Sequence, residues 1–283
     1  MGNGVTELIW IFFVFAALQP VLRQRLLESQ RLRLMRAFER KRRARVILLV
    51  HRQEAMGLLG FPLVRYIDIE DSEEILRAIR STPDDLPIDL ILHTPGGLVL
   101  AAEQIARALA DHPAKVTVFV PHYAMSGGTM LALAADEVVL DPHAVLGPVD
   151  PQLGAHPAAA VVRLVETKPL ADIDDQTLIE ADLGRMALAQ VGERVKALLA
   201  RHIDDPAEVE RVADLLSQGH FTHDHPFTAQ DARSWGLPIS TDLPPEVHEM
   251  MALYPQPKHR TPAVQYLPGP PQGSPRGGGA QRP

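Results

Sequence analysis

Twice in close succession this chain runs a short apolar strand into a pair of glycines and restarts as a helix of small and apolar residues. The first unit is Asp89-Leu-Ile-Leu-His-Thr-Pro-Gly96-Gly97, followed by Leu98 to Ala110 with apolar positions at helical spacing. The second is Val116 to Val120, then Pro121-His-Tyr-Ala-Met-Ser126-Gly-Gly-Thr-Met130, then Leu131 to Ala135. Strands and helices alternating at these lengths call for an α/β fold built on a largely parallel sheet. In such sheets the loops at the carboxyl ends of neighbouring strands lie side by side, and sites form there. Ser126 then sits at a strand-to-helix corner beside unpaired backbone N–H groups, as a nucleophile would, or simply as the cap of the helix. The other glycine loop would supply a backbone donor.

The pair His93-Thr-Pro-Gly-Gly97 and Ala124-Met-Ser-Gly-Gly128, about thirty residues apart, resembles the Clp/crotonase-fold serine peptidases. The likeness is greatest to the serine dehydrogenase proteinase family, on the membrane-associated branch near signal peptide peptidase A. Asp136-Glu-Val-Val-Leu-Asp-Pro-His-Ala-Val-Leu-Gly-Pro-Val-Asp150 and the stretch from Gly219 to Leu237 match it too, so the resemblance spans roughly residues 44 to 240. It implies a Clp/crotonase-like sheet with flanking helices and Ser126 as nucleophile. The oxyanion hole would be the N–H groups of Gly97 and Gly127, with Gly96 and Met125 against the substrate. A peptide would bind extended along the strand edge near Gly97. The residue two before the serine is Ala124, where the nucleophile elbow of α/β-hydrolases has glycine.

A serine hydroxyl is a weak nucleophile until a base takes its proton. In the relatives of signal peptide peptidase A the base is a lysine a few tens of residues after the serine, and the matching position is Lys168. Arginine cannot serve, and the chain holds five lysines against twenty-three arginines. The competing arrangement is the Ser-His-Asp triad of Clp protease. Its histidine neighbourhood holds Val149-Asp150-Pro151 here, and His220, His223 and Asp224 fall near the place of its aspartate. A histidine such as His223 is therefore the alternative base. His220-x-x-His223-x-His225 also has a zinc-like spacing, but a polar turn is the expected reading, and no metal is expected.

The N-terminus is of a different character. Val5 to Leu22 is almost wholly apolar, and about eighteen residues at ~1.5 Å each approach the roughly 30 Å hydrocarbon core, so a short transmembrane helix is expected. It lacks the basic start and small-residue cleavage site of a secretory signal. Residues 23–45 then carry nine Arg and one Lys against two Glu in a chain of net charge −7. By the positive-inside rule this puts the following domain in the cytoplasm, under a single-pass anchor in the cell inner membrane. No aromatic pattern accompanies the basic run, and no nucleic-acid partner is expected.

The expected organisation is an anchor over 1–22, a basic juxtamembrane segment over 23–44, a peptidase domain over 45–250 and a Pro/Gly-rich disordered tail over 251–283. Within the domain, Ser72 is the expected cap of one helix and Asp172 to Ile203 a long second one. With no cysteine among 283 residues, thiol nucleophiles and disulfides are excluded. No strand-turn-helix carries Gly-x-Gly-x-x-Gly, so no nucleotide cofactor is expected. The expected function is a membrane-anchored serine endopeptidase that acts on peptides or proteins, and the resemblance implies a homo-oligomer. The alternatives are a non-catalytic membrane scaffold and a crotonase-type acyl-CoA enzyme.

Overall fold

The computed structural model describes residues 3–51 and 66–254, apart from the side chains of residues 3–17, 20 and 23. Glu54 to Arg65, where Gly57, Gly60 and Pro62 read in the sequence as a flexible connection, and the tail from residue 255 onward lie outside those residues. The chain opens with α1 (Asn3–Arg42), β1 (Arg45–Val50), α2 (Ile69–Arg80), β2 (Ile88–His93) and α3 (Val99–Ala110). Then come β3 (Val116–Val120), β4 (Tyr123–Ala124), α4 (Gly127–Leu133), β5 (Glu137–Leu140) and β6 (Val145–Leu146). The hairpin β7 (Gln152–Leu153) and β8 (His156–Pro157) leads to α5 (Ala158–Thr167), α6 (Asp175–Leu199) and α7 (Pro206–Ser217). The chain continues through β9 (Phe227–Thr228), α8 (Ala229–Ser234), β10 (Ile239–Ser240) and α9 (Pro245–Ala252).

The central sheet has the order β1-β2-β3-β5-β10, and every pair in it is parallel. Because side chains alternate across a strand, each strand feeds two cores. Leu90 and Leu92, Val118 and Val120, and Val138 and Leu140 join the larger one under α2, α3, α4, α6 and α7. Ile91, Phe119 and Val139 join the second, with Phe38 of α1 and Val247, Met250 and Met251 of α9. A small three-stranded sheet, β4-β6-β9, stands beside the main one. This is the α/β architecture of a Clp-like fold.

Several local expectations shift. Helix α2 starts at Ile69 because Asp68 and Asp71 form a reciprocal capping box. Ser72 is buried inside the helix and donates to the Ile69 carbonyl instead of capping. Asp174 caps α6, and the separate helix α5 precedes it, unforeseen in the sequence. The expected anchor and the expected basic segment both lie on one continuous 40-residue helix, α1. Its last turns belong to the packed body, since Phe38 is 1% exposed and meets Phe119 edge-on. Met251, expected at the start of the tail, is buried in α9. No helix among the described residues is long and apolar enough to cross a membrane. The expected transmembrane helix is therefore not shown, and most of Val5 to Leu22 lies outside the described side chains.

On the α1 side of the sheet, Asp89 is 1% exposed and receives Arg42 through two hydrogen bonds of 2.8 and 3.3 Å. Burial pushes the Asp89 carboxyl above its ordinary value, although Arg42 pulls it down. A carboxyl raised in the fold holds its proton more tightly there than in the unfolded chain. Its contribution is full at pH below the unfolded value and is lost as pH rises through the folded one. Arg42→Ala should therefore cost about 3 kcal/mol at neutral pH, the low end for breaking a buried pair because the arginine side chain is 35% exposed. The deficit should shrink near pH 4, as read by urea unfolding at both pH values.

Candidate active site

Ser126 stands where β4 gives way to α4, with φ +51° and ψ −117°. Among the described non-glycine residues only Arg43 shares a positive φ. Such a backbone costs about 1–3 kcal/mol and persists only where its surroundings over-determine it. Here they do. The Met125 N–H donates to the Thr94 carbonyl at 3.0 Å, and the Gly128 N–H to the Met125 carbonyl at 2.8 Å. The buried Thr129 hydroxyl lies 2.9 Å from the Ala124 carbonyl and 2.8 Å from that of Gly147, while its oxygen accepts the Gly147 N–H at 3.0 Å. The serine is partly exposed, and its hydroxyl does not cap the helix, so the simple capping role is not the one it plays.

The first glycine loop abuts this corner. A parallel bridge joins Thr94 to Ala124, through the Thr94 N–H on the Tyr123 carbonyl at 3.3 Å and the Met125 bond above. Gly96 has φ +107°, and a methyl group there would lie 2.7 Å from the Ser126 Cβ, so only glycine fits. Ile67 pairs with the outer edge of the loop, its N–H donating to the Gly96 carbonyl at 2.7 Å and its carbonyl accepting the Leu98 N–H at 2.8 Å. The Gly97 N–H is thereby turned away from Ile67. Among the described residues neither it nor the Gly127 N–H meets a backbone acceptor. A methyl at Gly127 would lie 3.7 Å from the Gly97 nitrogen, so the two donors are neighbours. Neighbouring backbone donors beside a serine are one requirement of an oxyanion hole. Met125 is half-buried, its thioether over Gly147, where an added Cβ would come within 2.4 Å of the methionine methyl.

Ser126, Gly96, Gly97, Gly127 and Met125 are thus assembled in one place. Lys168 caps the C-terminal end of α5, its N–H on the Leu164 carbonyl and its side chain exposed. Among the described residues its amine is hydrogen-bonded neither to Ser126 nor to any carboxylate, whereas Lys41, Lys115 and Lys196 each pair with a glutamate.

Asp150 and His223, far apart in the sequence, meet in the fold. Asp150 is 2% exposed, and its Oδ1 lies 2.8 Å from His223 Nδ1, while the Gln152 amide donates to Oδ2 at 2.7 Å. By the resemblance, these are the neighbourhoods of the Clp histidine and aspartate, here with the residue types exchanged. Strand order brings the pair to the right end of the small sheet. β4 and β6 are parallel and β9 is antiparallel to both, so the chain leaving β4 for Ser126, leaving β6 for Asp150 and entering β9 from His223 does so at one end. The other histidines of the loop go elsewhere, His220 to Asp214 at 2.7 Å and His225 onto the Phe221 ring. Asp224 beside them is held below the ordinary carboxylate range, first by the Thr222 hydroxyl. His143 belongs to a surface turn, its N–H on Asp141.

Comparison with known proteins agrees with this geometry. The family described as ClpP-like SDH-type serine proteinase matches residues 1–280. The uncharacterized proteins MJ0137 and MJ1495 of Methanocaldococcus jannaschii are each 48% identical to this chain, over 271 and 273 residues. Those alignments cover 95% of this chain in both cases, and 94% and 93% of the relatives. A shorter stretch of 81 residues is 38% identical to the probable protease SohB of Haemophilus influenzae, covering 27% of this chain and 23% of that one. With a strained serine and two backbone donors at the heart of the matched region, the chain belongs to the ClpP-like SDH-type serine proteinases and is a serine peptidase.

Proposed function

We propose that this protein is a membrane-anchored endopeptidase in which Ser126 attacks the scissile carbonyl and His223, steadied by Asp150, is the general base. The observation that carries the base is the buried Asp150 carboxylate on His223 Nδ1. An acceptor there keeps the proton on Nδ1 and leaves Nε2 to take the one from serine. The carbonyl oxygen, as its charge develops, would receive the Gly97 and Gly127 N–H groups. Collapse of that adduct expels the amine, which takes the proton from His223, and leaves an acyl-enzyme. Water, deprotonated by the same imidazole, then releases the acid and restores Ser126.

Lys168 is the second reading, favoured by one observation: its amine is untied where the other described lysines are paired. A buried amine in the substrate-bound state would serve the same proton transfer. The acyl-CoA alternative gives way to the family assignment. The membrane part of the proposal rests on the apolar run Val5 to Leu22 at the start of α1 and the arginines after it, with the domain on the cytoplasmic side. Leu18, Val21, Leu22 and Leu26 are exposed along that helix. Assembly into a homo-oligomer is proposed on the exposed apolar residues Leu164, Leu170, Ile179, Leu183 and Met186 around α5 and α6.

A fluorophosphonate probe with the full chain tests the chemistry. Ser126→Ala should abolish labelling and His223→Ala should slow it by roughly a thousandfold, while Lys168→Ala stays within about twofold. The reverse pattern for the last two would make Lys168 the base. Gly97→Ala would bring a methyl to 2.2 Å from the Ile67 carbonyl and displace the loop. Peptide hydrolysis should then drop by about 10²- to 10³-fold in kcat, the cost of one oxyanion donor. In cells, the full chain should sediment with membranes and resist alkaline extraction, and a chain starting at residue 24 should not. Release of the full chain by alkali would remove the anchor.

A further inference from the structure

One buried histidine has no part in the chemistry above. His51, at the end of β1 and 5% exposed, places Nε2 3.1 Å from Asp71 Oδ2 and Nδ1 2.9 Å from the Thr94 hydroxyl. A proton on Nε2, facing the carboxylate, leaves Nδ1 as an acceptor for the Thr94 O–H, which also lies within reach of the Gly96 carbonyl. The Thr94 oxygen in turn receives the N–H of the Pro95–Gly96 peptide at 3.2 Å and lies 3.3 Å from the Gly96 carbonyl of the next one. Asp71 has a second route to the same glycine. Its Oδ2 also accepts the Asp68 N–H at 3.0 Å, and the neighbouring Ile67 N–H holds the Gly96 carbonyl at 2.7 Å. One carboxylate thus reaches both polar groups of Gly96, through His51 and Thr94 on one side and through the start of α2 on the other.

The Gly96 carbonyl and the Gly97 N–H belong to one planar trans peptide and point in opposite directions. Whatever grips the carbonyl on the Ile67 side aims the N–H toward Ser126. We propose that Asp71 and His51 are positioning residues that hold the Gly96–Gly97 peptide in the orientation the oxyanion requires, and so set kcat without touching substrate. This rests on the reading of Gly97 as an oxyanion donor. The glycine itself has no side chain to hold it, which is why an outside clamp is needed. A misplacement of about 1 Å in such a donor is enough to cost on the order of 100-fold.

The experiment uses paired variants that keep or break each link. An asparagine places its amide near Nδ1 and a glutamine near Nε2, so His51→Asn preserves the Thr94 contact and His51→Gln abandons it. His51→Gln and Thr94→Val should lose about 10- to 100-fold in kcat with KM within about twofold, while His51→Asn and Thr94→Ser stay within about threefold of the parent. Deuterium exchange over residues 94–98 should quicken in the first two variants and stay slow in the other two, with β2 protected in all four. That readout needs no activity. An inactive, unlabelled parent enzyme would overturn the assignment of Ser126, and unchanged exchange in His51→Gln would overturn the clamp. Losses confined to KM, or a Thr94→Ser variant as slow as Thr94→Val, would reduce His51 to a packing residue.

Discussion

The two backbone hydrogen bonds between Thr94 and the Tyr123–Met125 segment are the constraint on which this molecule's chemistry depends. They join the ends of β2 and β4 in register. Each loop beyond that junction is unfavourable alone. One holds a glycine at φ +107° and the other a serine at φ +51°. Pairing lets each brace the other, since the space missing at Gly96 is filled by Ser126 and that missing at Gly127 by Ala102. The strain of the serine is offset by buried hydrogen bonds around it, chiefly those of Thr129, which ties the corner to Gly147. The strained corner displaces the hydroxyl from the capping position, whereas a relaxed one would turn it onto the helix.

Around this junction the protein separates rigid support from reactive parts. The main parallel sheet is buried on both faces, and its alternating side chains give two cores that share the same strands. The second core recruits the end of α1, through Phe38 and the Arg42–Asp89 pair. A helix that starts in an apolar run thus ends as structural cover for the catalytic sheet. Any membrane attachment at its first half is transmitted to the domain through a continuous helix, without a flexible linker.

The Asp150–His223 contact would let a proton relay of the proposed kind persist with the two residue types exchanged between strand ends. What matters for the chemistry is an imidazole whose Nδ1 is held by a buried carboxylate. The strand order β4-β6-β9 brings together one end of three short strands, and either order of the two residues along the chain closes the same contact. Asp71 and His51 repeat the carboxylate–imidazole pairing beside the first glycine loop, with both ring nitrogens occupied. That leaves the second pair suited to holding a loop instead of moving a proton.

The sequence by itself determined the parts whose physics is local. Short continuous apolar runs broken by Pro-Gly-Gly and Ser-Gly-Gly mark strand ends locally, so the parallel sheet and the corner at Ser126 were legible in it. The cap of α2 lies four residues before the expected Ser72 because Asp68 and Ser72 are both good caps, and the choice fell to the reciprocal bonds with Asp71. Only the tertiary structure decided the pairing of Asp150 with His223, 73 residues apart, the clamp that links Asp71 to Gly96, and the strained backbone of Ser126. It also decided that α1 carries its basic residues in an unbroken helix onto the sheet. Contacts of that range follow from how strands order themselves and which faces they bury. Residue spacing along the chain holds no record of either.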